Sequence, residues 1–285
     1  MSDLPDGVLV RALVADRAVR LLLVEARGPA EHTRRIHGLG PDAARIAAES
    51  VVAAALSSAH IKGDEQLTLQ IQGETPRCSV YADVKSTGDL RVRVTPSDLR
   101  LGTGGSFTGV LMAIKHSGPG EMYRGATAID GTTLEHGIAA HFGNSSQVDA
   151  ILRVGCTQAE DGGILSAGGL LLERLPEESD LPSLSAEAFT ARFGWIRHAD
   201  LPQLLTQLAF GAFGEERIEV LDRSAVTWTC RCSTAKIEDT LASLGKAEVD
   251  AMIREDHGAE VTCNFCGTVY QVTEARLVEL LERAP

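Results

Sequence analysis

Four of the six cysteines fall in a short C-terminal stretch: Cys230 and Cys232 one residue apart in TCRCS, Cys263 and Cys266 two apart in TCNFCG. A thiolate is a soft metal ligand, and two such pairs at either end of one segment match the tetrahedral four-sulfur site that zinc prefers. Gly267, directly after the last cysteine, supplies the backbone freedom a tight knuckle needs where the chain turns back into TVYQV. A thioredoxin-type centre wants its Cys-x-x-Cys between a strand and a helix, whereas this one leads into a strand. His257 could replace one sulfur, but REDHGAE reads as an exposed turn.

A structural zinc site and a redox switch use the same ligands, and spacing alone leaves the two level. The Cys-x-Cys pair adds chemistry. Metal-bound sulfur is thiolate and nucleophilic, so an oxidant that reaches it can form a disulfide, and the metal then loses ligands. Losing structural zinc removes about 10 kcal/mol or more of folding free energy. A unit this small has a thin core, so the expected result is unfolding rather than a local modification.

The elements that must hold these ligands are short. Ile237, Leu241 and Leu244 predict a helix ending at Gly245, and Val249, Met252 and Ile253 predict a second. A last helix, EARLVELLERA, follows Thr273 as its N-cap. Upstream, PEESDLPSLSAEAF has the acidic, Pro/Ser-rich composition of a boundary. Beyond it the chain turns aromatic: Phe189, Phe193, Trp195, Phe210 and Phe213 cluster around Leu201, Leu204, Leu205 and Leu208, which repeat at the spacing of an amphipathic helix. That stripe either docks permanently on the rest of the chain or docks conditionally.

Residues 1–176 carry mixed signals. VRLLLVEA (19–26) reads as a strand, and PDAARIAAESVVAAALSSAHI (41–61) as a helix starting at Pro41, with alanine on nearly every side and hence buried. QLTLQIQG alternates with period two, STGD and GTGG are turns, and MYRGATAIDG is a further strand. TTLEHGIAAHF follows as a helix capped by Thr132 or Thr133, and AILRVG and GGILSAGGLLLERLP return to strand. The expected fold class is α+β: an N-terminal layered antiparallel-sheet and helix domain over 1–176, an amphipathic helical linker over 177–228, and a small C-terminal zinc-binding domain over 229–285.

The chain has 285 residues, 44% of them hydrophobic, and a net charge of −12. That charge opposes nucleic-acid binding, most of whose affinity comes from lysine and arginine on phosphates. Residues 233–262, nearest the cysteines, hold Lys236, Lys246 and Arg254 against seven acids. The N-terminus has no signal-peptide pattern, and the longest apolar run, VVAAALSSAHI, is too short to span a bilayer. A cytoplasmic protein without membrane partners is expected. There is no Walker-type phosphate loop, LGTGGSF is a turn between strands, and no catalytic residues are assigned.

WTCRCS and LASLGKAEVDAMIREDHGAEVTCNFCGTVY closely resemble the C-terminal zinc domain of the heat shock protein 33 family of redox-regulated chaperones. The resemblance continues upstream in LQIQGETP, YRGATAIDGTTLEHGIAAHFGNSSQV and SAGGLLLERLP, in the expected order. It implies an ATP-independent holdase and no enzyme, inactive while reduced and carrying one zinc ion. Oxidation would pair Cys230 with Cys232 and Cys263 with Cys266, release zinc, and unfold the C-terminal domain and the linker. The aromatic linker residues named above would then be a client-binding surface for unfolding proteins, with a homodimer as the oxidised form. The alternative is a constitutive zinc-ribbon module binding nucleic acid or ribosomes. Cys78 and Cys156 lie outside the pattern and read as buried small hydrophobes.

Overall fold

Two strands near the N-terminus set the architecture, β1 (Gly7–Val14) and β2 (Val19–Glu25), because both faces of each are apolar. Leu9, Leu22 and Val24 point into one core cluster, while Ala12, Val14, Val19 and Leu21 point into another. A strand buried on both sides reads as a run rather than an alternation, which is what LLLV is. The computed structural model describes residues 4–118, 121–146, 149–175, 184–209 and 216–283. The chain divides into two compact units, Met1–Thr229 and Cys230–Pro285.

In the first unit, α1 (Arg27–His37) is followed by α2 (Pro41–Ser57), which Pro41 opens. Almost every α2 residue beyond its first turn is buried, as its all-round alanine surface requires. Next come β3 (Gln66–Thr75), β4 (Arg77–Lys85), β5 (Asp89–Thr95), β6 (Phe107–Gly118) and β7 (Glu121–Thr132). The helix α3 (Leu134–Ser146) leads to β8 (Ala150–Gln158) and β9 (Ile164–Arg174). Thr133 caps α3, its hydroxyl accepting from the His136 amide at 3.5 Å. After β9 come α4 (Ala186–Phe193), a short 3-10 turn (Gly194–His198) and α5 (Leu201–Ala209), and then β10 (Glu219–Trp228).

The strands form one ten-stranded sheet in the order β7-β6-β3-β4-β5-β10-β1-β2-β9-β8. Every pairing is antiparallel except β10 with β5, which meet in parallel at Thr227 with Asp89 and Trp228 with Leu90. The sheet curls around α2, which touches β2, β3, β4, β5, β8 and β9, and α3 packs on both of its edge strands, β7 and β8. The α+β expectation holds.

The stretch 177–228 departs from a helical linker. Among its described residues the helices are α4, the 3-10 turn and α5, but its last ten residues are strand β10, inserted between β1 and β5. The cause is a distant pairing: β1 offers a matching ladder from Gly7↔Val226 to Leu13↔Glu219, which the β-branched Val220, Val226 and Thr227 accept. A bulge at Leu221, between the Arg11↔Asp222 and Ala12↔Val220 pairs, absorbs one residue. The helical part lies on the outer face of the sheet within the first unit, where Phe189, Phe193, Ile196, Leu204 and Leu208 pack with Ala12, Val19, Leu21, Ile151, Leu170 and Leu172.

The second unit contains α6 (Thr234–Ser243), α7 (Lys246–Ala251), one π-helical turn (Met252–Asp256), the hairpin β11 (Gly258–Thr262) and β12 (Val269–Thr273), and α8 (Glu274–Arg283). Among the described residues its fully buried apolar core is Leu241, Val249, Val272, Leu277 and Leu280. Arg276 grips Glu238 with two parallel hydrogen bonds of 2.8 and 2.7 Å, tying α8 to α6.

Candidate metal centre

Cys230 and Cys232 sit immediately before α6, whose N-cap Ser233 accepts from the Lys236 amide at 3.3 Å. That cap fixes the chain direction just after the first cysteine pair. Cys263 and Cys266 occupy the turn between β11 and β12. There the Gly267 amide donates to the Cys263 carbonyl at 2.9 Å and the Cys263 amide to the Thr268 carbonyl at 2.8 Å. Gly267 adopts φ +71°, the left-handed conformation such a knuckle demands.

The two pairs converge. All four sulfurs lie within 4.8 Å of one another. Cys230 Sγ is 3.3 Å from Cys232 Sγ and 3.7 Å from Cys263 Sγ, and Cys232 Sγ is 3.4 Å from Cys266 Sγ. A tetrahedral ion with metal–sulfur bonds of about 2.3 Å needs sulfurs about 3.8 Å apart, so this donor set fits one metal with little adjustment. Cys263 is buried and the other three are half-buried. His257 lies outside the cluster, exposed in a left-handed turn and 3.1 Å from Glu274.

The surroundings treat the sulfurs unequally. Burial pushes the Cys230 thiol up to about 12 and raises Cys232 as well. Cys266 also pays for burial, but hydrogen bonding from the Thr268 hydroxyl and backbone, together with Cys232, outweighs it and brings the group down to about 6. The Tyr270 hydroxyl donates to Cys232 Sγ at 3.0 Å. Thr268 and Tyr270 were not singled out from the sequence; the signal was their place directly after the Cys-x-x-Cys knuckle, where a hairpin turns its side chains back on the ligands. A bound cation would hold all four sulfurs as thiolates, displacing their protons.

Elsewhere, Phe189, Phe193 and Leu204 are each 1% exposed, Leu201 and Leu208 are buried, and Leu205 is half-buried. Trp195 is 49% exposed. Phe210 and Phe213 lie outside the described residues. Cys78 is buried as expected, whereas Cys156 is half-buried and lines a cavity beside Arg45 and Glu49, where burial pushes its thiol up to about 12.

The family model described as "Hsp33 protein" matches residues 7–273. The chain belongs to the heat shock protein 33 family. Relatives named "33 kDa chaperonin" from Staphylococcus aureus strains Newman and USA300 are each 28% identical over 96% of this chain and 97% of their own. The crystal structure of the 33 kDa chaperonin from Thermotoga maritima, a heat shock protein 33 homologue, shares the fold with a TM-score of 0.82. It is 24% identical and covers 97% of this chain and 98% of its own. The protein is therefore a chaperone of this family with a C-terminal cysteine cluster able to hold a metal. Among the described residues no helix is long and apolar enough to cross a membrane.

Proposed function

We propose that this protein is a redox-regulated, ATP-independent holdase of the cytoplasm, not an enzyme, in which Cys230, Cys232, Cys263 and Cys266 hold one zinc ion in the reduced, inactive state. The observation that carries the reading is the approach of Cys230 Sγ to Cys232 Sγ at 3.3 Å within the four-sulfur cluster. Ligands that close need only a small torsional change to bond to each other, so the geometry that suits a metal also suits a disulfide.

When bound, zinc supplies the cross-link that fastens the segment before α6 to the β11–β12 knuckle. Two thiolates, Cys230 and Cys232, give up two electrons to a peroxide or hypochlorite and join as a disulfide. Cys263 and Cys266 do the same with a second equivalent of oxidant; each peroxide takes two protons from solvent and leaves as two waters, and each hypochlorite takes two and leaves as chloride and water. Four electrons leave the sulfurs and no ligand remains for the ion. The five-residue core of the second unit then stands without its cross-link, and the unit unfolds. Release of 186–209 from the sheet follows in this reading. It uncovers Phe189, Phe193, Leu201, Leu204, Leu205 and Leu208 together with the apolar face beneath, a surface suited to unfolding client proteins. The oxidised form is a homodimer in the same reading.

The test is to measure zinc content and suppression of aggregation of a heat-unfolded client before and after peroxide treatment. Oxidation should eject zinc and create holdase activity together. Zinc ejection without holdase activity would leave a constitutive zinc-ribbon module as the better description.

A further inference from the structure

Glu49 lies in the middle of α2 and is only 4% exposed, where a carboxyl group is costly to keep. Its Oε1 accepts from Arg45 Nε, one helical turn earlier, at 3.0 Å, and among the described residues its Oε2 has no hydrogen-bond partner. Burial pushes the group up to about 7 against the pull of Arg45, and the charge of Glu135 raises it further. Glu49 faces a cavity of about 950 Å³, within the range that small molecules occupy. Because β8 is an edge strand, residues from both of its faces border that space, Cys156 on one and Gly155 and Thr157 on the other. Gly155 and Gly168, paired across β8 and β9, put no side chain into it.

The lining is of two kinds. Arg45, Glu49, Cys156, Glu135 and His136 are polar, Val10, Leu23, Leu205 and Leu208 are apolar, and the exposed Glu25 and Arg223 also border the space. The arginines beside Glu49 and Glu135 are already spent. Arg45 Nη2 donates to the Gly104 carbonyl at 3.3 Å. Arg153 Nε donates to Glu135 Oε1 at 2.6 Å, and its Nη1 donates to the Ile196 and Ala199 carbonyls at 2.7 and 2.8 Å. What is left over is acceptor capacity: among the described residues the second oxygen of Glu135, like that of Glu49, has no partner. We propose that this cavity binds a small cationic amphiphile, a primary alkylammonium or a close relative, whose ammonium group donates to Glu49 and Glu135 and whose chain lies along Val10, Leu23 and Leu205. An ammonium carries three donors and relieves the repulsion between the two carboxylates. A metal ion is the poorer fit, since among the described residues the four C-terminal cysteines are the only set close enough to share one. The site belongs to the first unit and does not depend on the redox reading above.

The test titrates the full-length, reduced, zinc-loaded protein with hexylammonium, hexanol and hexanoate in a calorimeter. Hexylammonium should bind at least about tenfold more tightly than hexanol, hexanoate should not bind, and each methylene removed from the amine should weaken it about three- to fourfold. Glu49→Gln should reduce hexylammonium affinity by about tenfold or more and leave hexanol unchanged. Should that variant fail to fold, Leu23→Phe keeps both carboxylates, narrows the apolar end and should weaken hexylammonium and hexanol alike. In the parent, hexylammonium affinity should fall about tenfold from pH 8 to pH 6 as Glu49 takes up a proton. Arg45 of the same helix, Cys156 of β8 and Glu135 and His136 of α3 border the same space, and an imidazole ordinarily titrates near this window, so His136→Gln should leave that fall intact. Equal affinity for hexylammonium and hexanol, binding of hexanoate, no heat with any probe, or a pH dependence abolished by His136→Gln overturns the site.

Discussion

The Tyr270 hydroxyl stands 3.0 Å from Cys232 Sγ, so the strand that follows one cysteine pair stabilises a sulfur of the other pair. Outer hydrogen bonds of this kind orient ligands and typically contribute about 10–100-fold to metal affinity. Tyr270→Phe should therefore keep the fold and bind zinc at least about tenfold more weakly, measured by competition with a chromophoric chelator. Equal affinity would mean that the contact does not support the centre.

Cys232→Ser removes a sulfur that lies close to both Cys230 and Cys266. The variant should lose zinc at chelator concentrations the parent withstands, and hydrogen exchange should rise across 230–283 while the sheet of the first unit stays protected. Unchanged zinc content would remove Cys232 from the ligand set.

Glu31 sets an acid limit on the first unit. The carboxylate is 3% exposed, accepts three hydrogen bonds of 2.7–2.8 Å from Arg34 and Arg35, and accepts a fourth from the Ile164 amide at 3.0 Å. The Arg34 hydrogen bonds, foremost, outweigh burial and hold its pKa at about 2 against an ordinary 4.5. A depressed carboxyl pKa gives stability that is complete above pH 4.5 and is lost as pH falls toward 2, in total about 3 kcal/mol. Denaturant midpoints taken across that window should fall less steeply for Glu31→Gln than for the parent. Parallel slopes would refute the assignment.

The turn joining β1 to β2 carries three consecutive non-glycine residues in the left-handed region, Ala15 and Asp16 at φ +52° and Arg17 at +72°. Each costs about 1 kcal/mol or more relative to glycine in that conformation, offset in part by the entropy glycine loses on folding. Asp16→Gly should be neutral or stabilising by about 0.5 kcal/mol in chemical denaturation. A loss of that size would show that the Asp16 side chain contributes more than its backbone conformation costs.

The cysteine cluster was legible because cysteine spacing is short-range information: the two members of each pair are neighbours in sequence, and the knuckle glycine marks its own turn. The central helix was legible too, since alanine on every side allows only a buried helix. Less legible was whatever depended on distant pairing. Nothing within VLDRSAVTW distinguishes an inserted strand from the end of a linker until β1 supplies its ladder. A cue was present in the leucine runs at 21–23 and 170–172, since strands buried on both faces require a second layer, which the aromatic segment supplies. The Arg153 contacts fall on backbone carbonyls and leave no trace in side-chain patterning.

Because β9 and β10 belong to the same sheet, the stretch between Arg174 and Glu219 is anchored at both ends. Only β1 and β2 separate those anchors, which puts them three strand spacings, about 14 Å, apart. Undocking would therefore make a tethered loop rather than a trailing arm. A loop held so near its own seat keeps a high effective concentration there, so it competes with any client for the sheet and re-covers the surface once the client leaves. Recapture would then be a unimolecular event whose speed is set by loop closure and not by protein concentration.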